Sequence, residues 1–144
     1  MTRINSAIAP KHLTDEHLLA EHREIKRLPA CLQKAIKSGS IKHIPKQFVL
    51  GTGHVLFFLN KMKFIRDRYL SIHRECLDRG FVVQSYIDNW DGLDPEYDQD
   101  YKPTEAEQNL LIQRISERLQ NSPKKNWHHC GQKINVQEAI QLLL

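Results

Sequence analysis

Residues 55–80 read VLFFLNKMKFIRDRYLSIHRECLDRG. Val55, Phe58, Met62, Ile65, Tyr69, Ile72 and Cys76 recur at alternating steps of three and four. That period puts them on one side of an α-helix, so the stretch predicts a helix with a single buried stripe. Its aromatic and methionine positions are core packing rather than a cofactor site. Arg79 falls in the last turn and Gly80 at the position after the cap, where a left-handed backbone ends the helix.

Two further helices flank this one. Upstream, Thr14 is an N-cap followed by acidic Asp15 and Glu16, which favour the positive end of the helix dipole. Leu18, Ile25, Leu28, Leu32 and Ala35 form its apolar side, and Gly39 ends it. Pro29 removes the bond its N–H would give to Ile25, so a kink or break is expected there. Arg23, Arg27 and Lys34 are expected on one face. Downstream, Thr104-Glu105-Ala106-Glu107 has the capping-box pattern. Leu111, Ile115 and Leu119 form the stripe, and Ser122-Pro123 stops the helix. Residues 47–53 are expected as a buried connector, 87–102 as an acidic loop, and 134–144 as a short fourth helix packed on the body. The fold class is all-α: a compact three-helix single domain over residues 1–144, with long loops and a short C-terminal helix. A chain of 144 residues buries roughly two-thirds of its unfolded surface and needs no staple.

Charge is segregated along the chain. Residues 1–80 carry 15 Lys/Arg against 7 Asp/Glu, residues 81–110 one against eight, and residues 111–144 five against two. A basic body with one acidic loop suits a polyanionic partner. No apolar run approaches the length of a membrane span, and the N-terminus lacks the apolar core of a secretory signal. Three cysteines, Cys31, Cys76 and Cys130, fit a reducing, cytoplasmic compartment. Adjacent ligands such as His128-His129-Cys130 rarely converge on one metal, so no metal site is expected. No phosphate loop, Ser-His-Asp order or nucleophile elbow is present.

Several segments in order carry more information. The chain opens Met1-Thr2-Arg3-Ile4-Asn5 and continues Asp15-Glu16-His17-Leu18-Leu19-Ala20-Glu21-His22-Arg23-Glu24. Later come Gly51-Thr52-Gly53-His54-Val55-Leu56-Phe57-Phe58, then Glu75-Cys76-Leu77-Asp78-Arg79-Gly80-Phe81, and finally Trp127 followed by Gly131. Together they resemble the pyrimidine-dimer DNA glycosylase/AP lyase family, the phage-type endonuclease V, over residues 1–131. The resemblance implies loss of Met1, so that Thr2 presents a free α-amine, and a catalytic glutamate at Glu24. It implies DNA contacts at Arg3, His17, Arg23, Arg27 and Trp127, damaged double-stranded DNA as partner, a monomer, and no cofactor or metal. The sequence departs from the family after Trp127, where a tyrosine-rich stretch is replaced by His128-His129-Cys130-Gly131.

The chemistry explains the choice of an N-terminal amine. An α-amine has a pKa near 8, so roughly a tenth is unprotonated at pH 7, against a few parts in ten thousand for lysine. It can displace a base at C1′ and form an imine, after which a neighbouring carboxylate shuttles protons through β-elimination. Arg23 and Arg27, flanking Glu24, would bind phosphates and keep the carboxylate ionised. Apart from the resemblance, Thr2 reads as a loose terminus, Glu24 as half of an ion pair with Arg27, and His17 and His54 as satisfied histidines. The same residues are also compatible with action on abasic sites or other lesions, or with a non-catalytic basic DNA-binding module.

Overall fold

A computed structural model describes residues 2–144. The elements run α1 (Asp15–Ile25), α2 (Leu28–Ser38), α3 (His54–Phe58), α4 (Met62–Asp78), α5 (Glu105–Asn121), β1 (Trp127–His129), β2 (Gln132–Ile134) and α6 (Val136–Leu143). The architecture is helical, as expected, with one antiparallel hairpin that pairs Trp127 with Ile134. Among the described residues no helix is long and apolar enough to cross a membrane.

The first helix breaks earlier than Pro29. It ends at Ile25 and restarts at Leu28, which leaves Pro29 in the first turn of α2. There its missing N–H removes no helical bond, whereas a continuous helix would drive its ring into the Ile25 carbonyl. Arg23 and Lys34 consequently lie on different helices, and the single basic face expected of Arg23, Arg27 and Lys34 is divided. The second helix breaks too. Between α3 and α4, Lys61 leaves helical geometry, and its ammonium donates to the Phe57 carbonyl at 2.8 Å and to Asn60 Oδ1 at 2.9 Å. The stripe survives the break: Phe58, Met62, Ile65, Tyr69, Ile72 and Cys76 are all fully buried. Gly80 closes α4 with φ 85°. The Gly80 amide donates to the Leu77 carbonyl and the Phe81 amide to that of Cys76, the paired bonds of a Schellman cap.

The cap of α5 forms on one side only. The Thr104 hydroxyl accepts from the Glu107 amide, but the Glu107 carboxyl is buried, with Oε2 unpaired among the described residues. Residues 47–53 are less buried than expected. Phe48, Val49 and Leu50 are half-covered, while Gly51 and Thr52 are exposed. The acidic segment contains two short 3-10 turns, Ile87–Trp90 and Pro95–Tyr97, and is strapped to α4. Asp98 meets Arg66 at 3.1 Å, the Tyr86 amide donates to the Tyr69 hydroxyl, and Trp90 is buried against the Tyr69 ring.

The hairpin has no counterpart in the sequence-based reading. Its turn places Cys130 at φ 52° and Gly131 at φ 79°, a twist suited to a two-residue hairpin. Both turn amides donate to the Asp15 carboxylate, which also receives buried Arg79 at 2.8 Å. His128 and His129 diverge, one to Glu16 and the other to the Lys11 carbonyl. After β2, Asn135 and Glu138 complete a full capping box, and α6 buries Ala139 and Leu143.

α1 lies against α4, and the core forms on both sides of that pair. Ile25, Leu28, Leu32, Phe57, Phe58, Ile65 and Tyr69 pack on one side. Leu18, Ile72, Leu111, Ile115, Leu119, Trp127 and Leu143 pack on the other. Between the helices Glu21 is ion-paired with Arg68, at side-chain exposures of 1% and 7%. Two parallel bonds of 2.7 and 3.0 Å join them, and Arg68 also donates to the Ile8 carbonyl. Removing one member of a buried pair leaves a bare charge in the core. Arg68→Met therefore lowers stability by about 3–5 kcal/mol and Tm by roughly 10 °C or more. Glu21→Leu/Arg68→Met recovers part of this loss. Thermal melts check it, and a single variant within about 1 kcal/mol of the parent would contradict a buried pair of this geometry.

Candidate active site

The N-terminal segment has no secondary structure of its own, so its amides need partners from elsewhere. Side chains of two helices supply them in sequence. The Arg3 amide donates to Glu24 Oε2 at 3.2 Å. The Ile4 amide donates to His54 Nε2 at 3.1 Å. The Asn5 amide and side-chain amide both donate to Glu21 Oε1, at 3.3 and 3.0 Å. Farther along, Gln108 donates to the Ala7 carbonyl and Arg68 to that of Ile8. The segment is thus laid across α1, with Thr2 and Arg3 half-buried at its start. The nitrogen of Thr2 lies one residue before the Arg3 amide, within about 7 Å of the Glu24 carboxylate by chain geometry. Met1 lies outside the described residues.

A cavity of about 100 Å³ opens beside this segment, lined by Arg3, Asn5, His17, Glu21, Glu24, Arg114 and Arg118 among others. Glu21 is matched there by Arg68, so Glu24, which has no ion-pair partner among the described residues, shares the cavity lining with Arg3, Arg114 and Arg118. Arg114 reaches towards Asn5 Oδ1 at 3.5 Å. Its guanidinium is pulled down to about 10, first by burial and then by the repulsion of Arg3. A site that crowds arginines together in this way attracts an anion, which relieves both penalties.

His17 borders the cavity from α1. Its Nδ1 lies 2.8 Å from the Thr14 hydroxyl, which also caps the helix. Burial pushes the ring below its ordinary pKa. In the neutral ring the hydroxyl can donate to Nδ1, which leaves the proton on Nε2. The other face of His17 stacks on Trp127, with centroids 5.3 Å apart and planes 7° from parallel. Lys124 sits over the same indole at 4.8 Å.

The structure therefore brings together four of the residues singled out from sequence: Thr2 and Arg3 on the segment, His17 and Glu24 on α1. Arg23 and Arg27 are exposed and do not line the cavity. Among the described residues neither forms an ion pair with Glu24, whose bond is to the Arg3 amide instead. Trp127 is only 9% exposed and lies behind His17 rather than on the surface. Sequence reasoning missed Arg114 and Arg118, although their four-residue spacing on α5 was a signal that one face carries two cations. It also passed over Asn5 and Glu21, because a buried ion pair between distant helices leaves no mark in either sequence segment alone.

The hairpin reaches the site through Glu16. Burial opposes its charge, but bonds from His128 and Lys124 outweigh that and hold the carboxyl at about 2. A carboxyl depressed in the folded state adds stability above its unfolded value, and that stability is lost as pH falls from about 4.5 towards 2. The indole NMR signal of Trp127 is expected to shift over that range as the hairpin loosens from α1, and to be insensitive there in Glu16→Gln. A Trp127 signal that titrates identically in both proteins would contradict the linkage.

Comparison with known proteins bears on the part of the chain that builds this site. Residues 1–89 match a family model described as pyrimidine dimer DNA glycosylase. The matched stretch contains the N-terminal segment, α1, His54 and Arg68, and stops before α5 and the hairpin. With the Glu24 carboxylate and the extended N-terminal segment of the site both inside that stretch, the chain belongs to the pyrimidine dimer DNA glycosylase family.

Proposed function

We propose that the protein is a DNA glycosylase with AP lyase activity that acts on pyrimidine dimers, with the α-amine of Thr2 as nucleophile once Met1 is removed. The observation that carries the reading is the bond from the Arg3 amide to Glu24. It holds the first residues of the chain against a carboxylate in a cavity walled by arginines.

The chemistry follows from those positions. The unprotonated amine attacks C1′, the glycosidic bond breaks, and the base leaves with the bonding pair. Glu24 manages the protons: it assists opening of the sugar ring and then serves as base for the proton at C2′. The iminium at C1′ acidifies that proton, and its loss expels the 3′ phosphate. Arg3, Arg114 and Arg118 neutralise the phosphates next to the reacting sugar. Arg23 and Arg27, exposed on the same α1–α2 corner, bind phosphates farther along the strand. His17 presents its ring to the DNA, and Trp127 serves from behind by fixing that ring. Damaged double-stranded DNA is the only partner this scheme needs, and a monomer suffices.

Glu24→Gln tests the reading because it keeps shape and removes the titrating group. General acid–base groups contribute about 100- to 10,000-fold, so single-turnover incision of dimer-containing and abasic duplexes is expected to fall at least 100-fold. DNA affinity should hold or rise, since a negative charge facing phosphate is gone. Undamaged duplex should stay intact with either protein. Near-normal incision by a folded Glu24→Gln protein would remove Glu24 from the mechanism. Incision of abasic duplex but not of the dimer by the parent would favour the abasic-site reading instead.

A further inference from the structure

His54 stands outside the cavity, yet it holds the segment that enters it. The ring is 1% exposed and is boxed edge-on by Phe48 at 5.4 Å and Phe58 at 5.3 Å. Its two nitrogens are committed to backbone partners. Nδ1 lies 2.9 Å from the Val49 carbonyl, which can only accept. Nε2 lies 3.1 Å from the Ile4 amide, which can only donate. One tautomer alone satisfies both: the proton on Nδ1 and a lone pair on Nε2. Ile4 is two residues from Thr2, and its own side chain is fully buried.

We propose that His54 is a positioning residue whose neutral Nε2 lone pair anchors the Ile4 amide and thereby sets where the Thr2 nitrogen sits relative to Glu24. This inference rests on the reading of Thr2 as nucleophile. Protonation would turn Nε2 into a donor facing another donor, so the anchor exists only in the neutral ring. The surroundings keep it neutral. Burial lowers its pKa, as does Arg114 of α5, while the Val49 bond and Glu21 of α1 act the other way; the Ile4 amide, as a donor to the lone pair, favours the neutral ring. Glu21 is already matched by Arg68. His54 thus adds a second acid-sensitive step beyond protonation of the amine itself.

The test combines two readouts on the full-length mature protein and on His54→Gln and His54→Leu. Hydrogen exchange of the Ile4 amide reports the anchor without catalysis. Borohydride trapping on abasic duplex, followed against pH, reports the amine. Below the amine pKa, trapping should fall about tenfold per pH unit. In the parent the fall should steepen further once His54 protonates. His54→Gln, whose amide oxygen can accept and cannot titrate, is expected to keep Ile4 protection and lose the extra steepening. His54→Leu is expected to lose Ile4 protection and at least tenfold of the trapping rate, with DNA affinity unchanged. If the leucine variant does not fold, the pH profile of His54→Gln decides alone. Steepening in His54→Gln equal to the parent's, or full-rate trapping by a folded His54→Leu, overturns the inference. Trapping through a residue other than the N-terminal amine overturns this inference together with the assignment of Thr2. Trapping through the amine that ignores His54→Leu overturns this inference alone.

Discussion

The buried pair of Glu21 and Arg68 is the constraint on which the site depends. A carboxylate and a guanidinium taken from water are tolerated only when their remaining hydrogen-bonding capacity is filled. Here the N-terminal segment fills it. Asn5 gives two hydrogens to Glu21, and the Ile8 carbonyl takes one from Arg68. The α1–α4 packing and the course of residues 3–8 therefore form together. Without the segment the pair is short of partners, and without the pair the segment has nothing to lie on.

From that anchor the remaining geometry follows by simple steps along α1. Glu24 lies nearly one turn beyond Glu21 and meets the amide of Arg3, two residues before Asn5. His17 lies about one turn before Glu21 and borders the same cavity. An extended segment crossing a helix thus matches alternate amides, those of Arg3 and Asn5, to side chains three residues apart on α1. The cavity closes only because α5 contributes Arg114 and Arg118, and α5 is carried in by its stripe of Leu111, Ile115 and Leu119. Stability and chemistry share residues here, so Glu21 and Arg68 tolerate little change although neither is assigned a role in catalysis.

Much of this was legible in the sequence, and the illegible part has a physical pattern. The stripe from Phe58 to Cys76 and the caps at Thr14, Thr104 and Gly80 were readable because they depend on residues within one or two turns. The break at Lys61 was not, because the periodic pattern runs through it in phase and the side chain that closes it is an ordinary lysine. Pro29 announced a break, but its place was set by which turn could absorb a missing N–H. Thr2 and Glu24 were singled out only through the order of motifs, since each is unremarkable in its own segment. The expected clamp of Arg23 and Arg27 on Glu24 did not form, because both side chains reach solvent and the Arg3 amide is nearer. His54 read as an ordinary satisfied histidine, in the core or at the surface, and the contact that gives it meaning spans 50 positions.

The central claim is that a peptide-chain terminus, held against Glu24, attacks the sugar. It is tested most directly by borohydride reduction of the complex between the mature protein and a dimer-containing duplex, followed by digestion and mass mapping of the cross-linked peptide. A stable adduct is expected on the peptide that begins with Thr2, attached at its α-nitrogen. An adduct on a lysine side chain, or full-rate trapping by a protein whose α-amine has been blocked, would contradict it.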